Sequence, residues 1–412
     1  MPLRLNEVRM SAVKPSATLA MAAKAKALIK AGVPVMNLSA GEPDFPTPAC
    51  IVEAARAAIG LRSSHAYTNP RGTDELIAAM QQKLSREQGV DYKDNEVIAT
   101  VGTKGALMLA LDALVGPGDE VVLFAPYWVT YADLVRLAGA RPVVVSTDRE
   151  RGYQPSMQEF EAALSPSTKL VVLNSPNNPT GAGWPESMLR AILERVRGTG
   201  IWVISDEIYE KLVYGDFKHV SPASFDDDAR GRTLFVGGVA KAYAMTGWRV
   251  GVAAGPKLVI DALMTLQGQR TTCATAVAQV AAAYALREGP DVQAAVAEMR
   301  AAYTKRRALV LERARAIPGV KVHDPEGAFY VFLDVNERIP ARRALPAGGG
   351  GSVIADDVVL ANRLLEESNV ATVMGSAFQG PGCLRVSYAA SEDTLNQGFD
   401  RIAAFFASTT SA

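Results

Sequence analysis

The sequence has few of the residues that would announce a disulfide or metal scaffold. Its three cysteines, Cys50, Cys273 and Cys383, are odd in number, far apart and in neither CxxC nor Cys/His ligand spacing. That excludes a disulfide framework and a zinc ribbon, and predicts free thiols in a reducing compartment. Histidine is equally scarce. His65, His219 and His323 stand alone, so none is given a catalytic role and no metal is expected. No charge of one sign predominates: Lys+Arg 43 against Asp+Glu 43 leaves a formal net charge of zero. No overall field then draws the chain to nucleic acid or to an anionic membrane, and any bound anion must be caught by individually placed cations. Long apolar runs are missing as well. No uncharged stretch can cross a bilayer, and the first residues, MPLRLNEVRMSAVKPSATLAM, contain no apolar signal core, so a cytoplasmic protein is expected.

What is present is length and alternation. At ~100–200 residues per domain, 412 residues with 49% hydrophobic content support two or three domains around a large core. Ser16 opens a helical pattern that Gly32 can end, and the extended VPVMNLSAG and turn-rich EPDFPTP follow. From about residue 72, helical segments alternate with the apolar runs EVIATV, EVVLFA, PVVVS, KLVVLN and IWVISD. Apolar strands without polar alternation, separated by amphipathic helices, predict a mostly parallel sheet covered by helices on both faces. LFVGGV and RVGVAAG suggest a local pair of strands, and residues 275 to 316 read as one long Ala-rich helical region. The tail changes character. VKVHD, GAFYVFLDV, NVATVMG and CLRVSYA read as short strands around a helix, DDVVLANRLLEES, and PARRALPAGGGGS at residues 340 to 352 reads as a flexible loop. The expected class is therefore α/β with a smaller α+β domain. The arm, residues 1–44, contributes to the small domain; residues 45–300 form the large domain and 301–412 the small one.

Ligands of open parallel sheets bind beyond the carboxyl ends of the strands. EVIATV runs into Gly102, Thr103, Lys104 and Gly105, which can cradle a phosphate at a helix start or simply make a tight turn. EVVLFA is followed by Trp128, either a platform for a planar group or a core ring. KLVVLN leads into SPNNPTG, a rigid turn in which a cis X-Pro bond is plausible and Asn178 can face the site. IWVIS ends on Asp206, costly to bury unless it meets a cation or donor, or else a helix cap, with Tyr209 just beyond. After LFVGGV comes Lys241, with Arg249 eight residues later. It is either a snorkelling surface lysine or an amine whose pKa is lowered by burial beside a second cation, as an imine-forming lysine requires. Arg385 lies inside an apolar strand, where a guanidinium makes sense if it awaits a carboxylate.

AGEPDFPTP, VGTKGAL, PYWVTY, NSPNNPTG, SDEIYEKLVY, AKAYAMTGWRVG and LRVSYA, in this order, resemble the class I aminotransferases of fold type I, which use pyridoxal 5'-phosphate. The similarity runs from about residue 5 to 405 and is nearest to the bacterial and archaeal aspartate aminotransferase branch, whose KPSAT start also occurs at residues 14–18. The resemblance implies that Lys241 links covalently to the cofactor, Asp206 pairs with its pyridine nitrogen, and Asn178 and Tyr209 bond its phenolic oxygen. Trp128 would stack on the ring. Gly102, Thr103, Lys104 and Arg249 would surround the phosphate, with Tyr67 reaching the phosphate of the other subunit of a homodimer. Arg385, the Gly41 backbone and Asn178 would hold the substrate α-carboxylate. The chain departs from the family pattern in places: Ala240 stands where many relatives carry a hydroxyl residue and Gly238 where some carry another, and Arg270 precedes an atypical TCA segment. The implied reaction is amino-group exchange between an L-amino acid and a 2-oxo acid by a ping-pong cycle. Aspartate and glutamate come first, because in relatives a lysine at the position of Lys104 meets the substrate's distal carboxylate. Aromatic, kynurenine-type or prephenate transamination, or a lyase on the same fold, are the alternatives.

Overall fold

The computed structural model describes residues 5–343 and 352–411. Most of the loop expected at 340–352 therefore lies outside the described residues. The first strand, β1 (Met36–Asn37), belongs to the arm. Seven longer strands follow: β2 (Val97–Val101), β3 (Glu120–Ala125), β4 (Arg141–Ser146), β5 (Thr168–Asn174), β6 (Trp202–Asp206), β7 (Thr233–Gly238) and β8 (Val250–Ala254). They form one sheet in the order β2-β8-β7-β6-β5-β3-β4. All neighbours are parallel except those of β8, which runs antiparallel to both β7 and β2. The pairing expected between LFVGGV and RVGVAAG is thus the β7–β8 pair.

The uninterrupted apolar runs are explained by burial on both faces. Along β3, Val121 and Leu123 pack with Leu107, Val172 and Ile204 on one face, while Val122 and Phe124 pack with Val171, Val203 and Trp184 on the other. Successive strand residues point to opposite faces, so a sheet covered twice needs apolar residues at every position. Register then aligns the carboxyl ends of β5 and β6, with Asn174 opposite Asp206, and sets the end of β7 against the start of β8, with Gly238 opposite Gly251.

The Ala-rich region from 275 to 316 is two helices rather than one, Ala276–Arg287 and Pro290–Arg315. Glu288 takes a left-handed conformation (φ 54°), and Pro290, with no N–H to donate, starts the second helix. That second helix runs unbroken across residue 300. Beyond it, β9 (Lys321–Val322) and β10 (Tyr330–Asp334) enter an antiparallel sheet. A separate three-stranded sheet joins β11 (Ala341–Arg343), β12 (Ser352–Ile354) and the last strand, Thr409–Ser411. After the helix Asp357–Ser368 come β13 (Val370–Ala371), β14 (Val373–Met374) and β15 (Cys383–Ser387), giving the order β14-β15-β10-β9. The arm joins this end of the chain through the parallel pairing of β1 with β13. Ser16 caps its helix by accepting from Leu19 N–H, and Gly32 follows that helix at φ 85°, as the sequence pattern predicts. Among the described residues, no helix is long and apolar enough to cross a membrane.

Candidate active site

The carboxyl ends of β5, β6 and β7 meet β10 and β15 in one cleft, and the sequence-selected residues converge there. Lys241 sits in the turn after β7, held by the buried Val239, Ala242, Tyr243 and Met245. Its Nζ donates to Gly41 O at 2.6 Å and lies about 6 Å from the ring centres of Tyr209 and Phe329. Burial lowers its pKa to about 8, and Arg385 and Arg249 push the same way, against the pull of Glu42 and Asp206.

Asp206 ends β6 and is 3% exposed. Its Oδ2 accepts from the Tyr131 hydroxyl at 2.7 Å and its Oδ1 from Ile208 N–H at 3.3 Å. No helix starts here, so the capping alternative fails and the carboxylate is free to serve a ligand. Burial raises its pKa to about 6 even though the Tyr131 and Ile208 donors favour the charged form. The neighbouring strand fixes the backbone: Asn174 Nδ2 donates to Asp206 O at 3.0 Å, and Asn174 Oδ1 accepts from Asn178 N–H. The turn between them contains the cis Ser175–Pro176 bond that the SPNNPTG motif suggested.

Arg385 occupies the middle of β15, also 3% exposed. Its Nη1 donates to Asn178 Oδ1 at 3.1 Å and its Nη2 to Ser39 O at 2.8 Å. The guanidinium lies between the Tyr330 and Phe378 rings, 4.4 and 5.1 Å from their centres. Its Nε is buried without a partner. Among the described residues no carboxylate pairs with this cation, and a buried guanidinium with a spare donor is what an anionic ligand would complete.

The fourth group surrounds the start of the helix Gly102–Leu114, whose first turn has no side-chain cap. Gly102 has φ 72°, and a Cβ there would lie 2.5 Å from Arg249 Nη2, so the guanidinium rests against the bare backbone. Arg249 itself is left-handed (φ 55°) and donates to Thr246 O at 3.0 Å. Free amides at a helix start beside a cation make an anion site. Gly238 departs from the family pattern for a visible reason: at φ 150° a side chain would meet the Gly251 Cα and Val250 O at 3.0 Å. The hydroxyl of Thr103 instead donates to Gly237 O at 3.0 Å. Lys104 is exposed at the cleft rim, its ammonium 4.9 Å from the Trp128 ring centre. Partial burial, with Arg249 nearby, lowers its pKa.

Tyr67, the residue expected to reach the other subunit, is 88% exposed. Arg270, which carries no assigned role, pairs with Asp112. Gly41 contributes its carbonyl to Lys241. The histidines have structural partners: His219 meets Glu207 Oε2 at 2.7 Å, His323 meets Glu326, and His65 meets Ile59 O.

A sequence model described as aminotransferase class I and II matches residues 33–402. The chain belongs to that family. It is 43% identical to the aspartate/prephenate aminotransferase of Cereibacter sphaeroides, over 96% of this chain and 97% of the relative. Among solved structures, the aspartate aminotransferase of Rhizobium meliloti superposes with a TM-score of 0.92 at 38% identity, covering 100% of each chain. That of Thermus thermophilus, solved with maleate, gives 0.90 at 42%, over 98% of this chain and 100% of that one. The fold is accordingly the fold type I architecture, and the chain is an aminotransferase of a pyridoxal phosphate family.

Sequence reasoning missed four contributors: Tyr131, Tyr330, Asn174 and Ser39. Tyr330 bridges the two halves of the site, its hydroxyl 3.0 Å from that of Tyr209 and its ring against Arg385. The only signal was a polar group inside the otherwise apolar AFYVFL run, where a buried tyrosine hydroxyl needs a partner.

Proposed function

We propose that this aminotransferase binds pyridoxal 5'-phosphate at Lys241 and exchanges amino groups between dicarboxylic amino acids, aspartate and glutamate first, and 2-oxo acids. The observation that carries the reading is the convergence in one cleft of a lysine of depressed pKa, a buried carboxylate and a buried guanidinium lacking an anionic partner. When bound, the cofactor supplies an aldehyde for amines and a ring that stores the electron pair released at the substrate Cα. The phosphate falls to the uncapped amides of Gly102 and Thr103, with Arg249 and Lys104 beside them and Tyr67 of the partner subunit completing the site in a homodimer. With the cofactor bound, Asp206 would pair with its ring nitrogen, Trp128 would stack on the ring, and Asn178 and Tyr209 would hydrogen-bond its phenolic oxygen. Arg385, with Asn178 and the Gly41 backbone, clamps the α-carboxylate and so aims the Cα–H bond. With the cofactor bound, the neutral Lys241 Nζ would act as general base toward the substrate Cα proton. Within this reading the arm with residues 301–412 closes over residues 45–300, and three unpaired thiols fit a cytoplasmic setting.

The preference for acidic substrates rests on Lys104, an exposed cation 4.9 Å from the Trp128 ring centre. The Cereibacter relative's name includes prephenate, itself a dicarboxylate, and the Thermus enzyme was solved with maleate. Lys104→Ala should reduce kcat/KM for aspartate and glutamate about 10-fold, or ~1.4 kcal/mol, inside the ~0.5–3 kcal/mol span of charge-assisted contacts from exposed to buried. Exchange with alanine or phenylalanine should change by less than twofold. Equal losses on acidic and neutral donors would remove the assignment, and vigorous aromatic exchange without aspartate exchange would favour the aromatic alternative.

A pH dependence follows from Lys241. Its amine deprotonates near pH 8 instead of about 10.4, and only the neutral form attacks an aldehyde. Formation of the borohydride-reducible cofactor linkage by the apo chain should therefore accelerate as pH rises through 8 and level off above it. Rates still climbing beyond pH 10 would mean an ordinary solvated lysine. The native apo chain also binds fewer protons than the unfolded chain between these two values, so this residue's contribution to stability grows as pH rises across that window.

A further inference from the structure

We propose that Tyr131 is a positioning residue for the cofactor ring, its hydroxyl fixing and weakening the basicity of Asp206 while its ring props Trp128. The inference rests on the cofactor reading above and adds a residue to it. Tyr131 lies in the first turn of the helix Thr130–Leu137, which follows β3, and is 3% exposed. Its hydroxyl donates to Asp206 Oδ2 at 2.7 Å. Its ring meets Trp128 edge to face, with centroids 5.5 Å apart and planes at 88°. One side chain thus touches both the carboxylate assigned to the ring nitrogen and the indole assigned to the ring face.

The geometry dictates the direction of the effect. A carboxylate that accepts a hydrogen bond holds its negative charge more readily and competes less for a proton. The groups facing Asp206 are Tyr131, Glu207, Tyr209 and Lys241, and of these only Tyr131 donates to its side chain. The second donor, Ile208 N–H, is longer at 3.3 Å and belongs to the backbone. Asp206 and a ring nitrogen share one proton, so removing the Tyr131 donor strengthens the carboxylate as a base. The proton then moves toward Asp206 Oδ and the ring loses positive charge. A ring without that charge withdraws fewer electrons, so the lysine–cofactor linkage becomes more basic and the substrate Cα–H less acidic.

Tyr131→Phe tests this, because it removes the hydroxyl and keeps the ring against Trp128. The readout is the visible absorbance titration of the holoenzyme, which reports the proton on the linkage independently of turnover. The expected result is a midpoint at least half a pH unit higher than wild type, and a kcat several-fold lower. KM for aspartate should move less than twofold and the melting temperature of the apo chain should stay within a few degrees. Trp128→Phe should change cofactor affinity without moving the midpoint. An unchanged midpoint in Tyr131→Phe, whatever happens to kcat, overturns the proposal. If wild type itself shows no titrating visible band with added pyridoxal phosphate, the underlying cofactor reading fails instead.

Discussion

Lys241→Ala should lose transamination by about four orders of magnitude or more, since a positioned general base alone contributes ~10²–10⁴ and this residue also holds the cofactor. The physical case rests on its surroundings. Burial and two guanidinium groups bring its pKa to about 8, which makes it both a nucleophile and an acceptor for the Cα proton at neutral pH. Its Nζ donates to a carbonyl, Gly41 O, and among the described residues no carboxylate pairs with it, so leaving that position costs little. Two measurements check it: steady-state exchange, and borohydride reduction followed by peptide mapping, which should mark residue 241 in wild type and no residue in the variant. A reducible linkage persisting in Lys241→Ala would move the chemistry to another amine.

Arg385→Leu should lower kcat/KM for every amino acid donor by about 10²–10³-fold, corresponding to the ~2–5 kcal/mol lost when one partner of a buried, hydrogen-bonded charge pair is removed. The loss should be common to acidic and neutral donors, because all share the α-carboxylate, and that separates it from the selective effect of Lys104→Ala. Arg385→Lys should recover little. An ammonium has no planar fork to span Asn178 Oδ1 and Ser39 O while still presenting a donor to the cleft. Replacement by leucine removes a desolvated charge but also the donors to Asn178 Oδ1 and Ser39 O, opposing effects that should leave the apo chain folded in thermal melts. Unchanged kcat/KM in Arg385→Leu would place the α-carboxylate elsewhere.

Much of this was legible in the chain because the signals were local. Unbroken apolar runs such as KLVVLN mark strands buried on both faces, and a carboxylate or ammonium at the end of such a run, as at Asp206 and Lys241, is too costly to be incidental. Gly32, Ser16 and Pro176 act through backbone conformations that depend on one or two neighbours. The boundary at Glu288 was less legible, since an αL residue other than glycine leaves little trace in an alanine-rich stretch.

Tertiary structure alone decided which groups meet. Tyr131 and Asp206 are 75 positions apart, Tyr209 and Tyr330 121 apart, and Arg385 and Asn178 207 apart, and no periodicity encodes such pairings. The same holds for Gly238. In sequence it is a missing hydroxyl, whereas in the fold it faces Gly251 at φ 150°, where a side chain would be strained and crowded. The sequence by itself determined the elements, the chemistry-bearing residue types and the ends of strands on which they sit, because propensity and burial cost are properties of short segments. Their partners, and with them the lowered lysine pKa and the unfilled guanidinium, were set by strand order and register, because hydrogen bonds and desolvation act over a few ångströms of space.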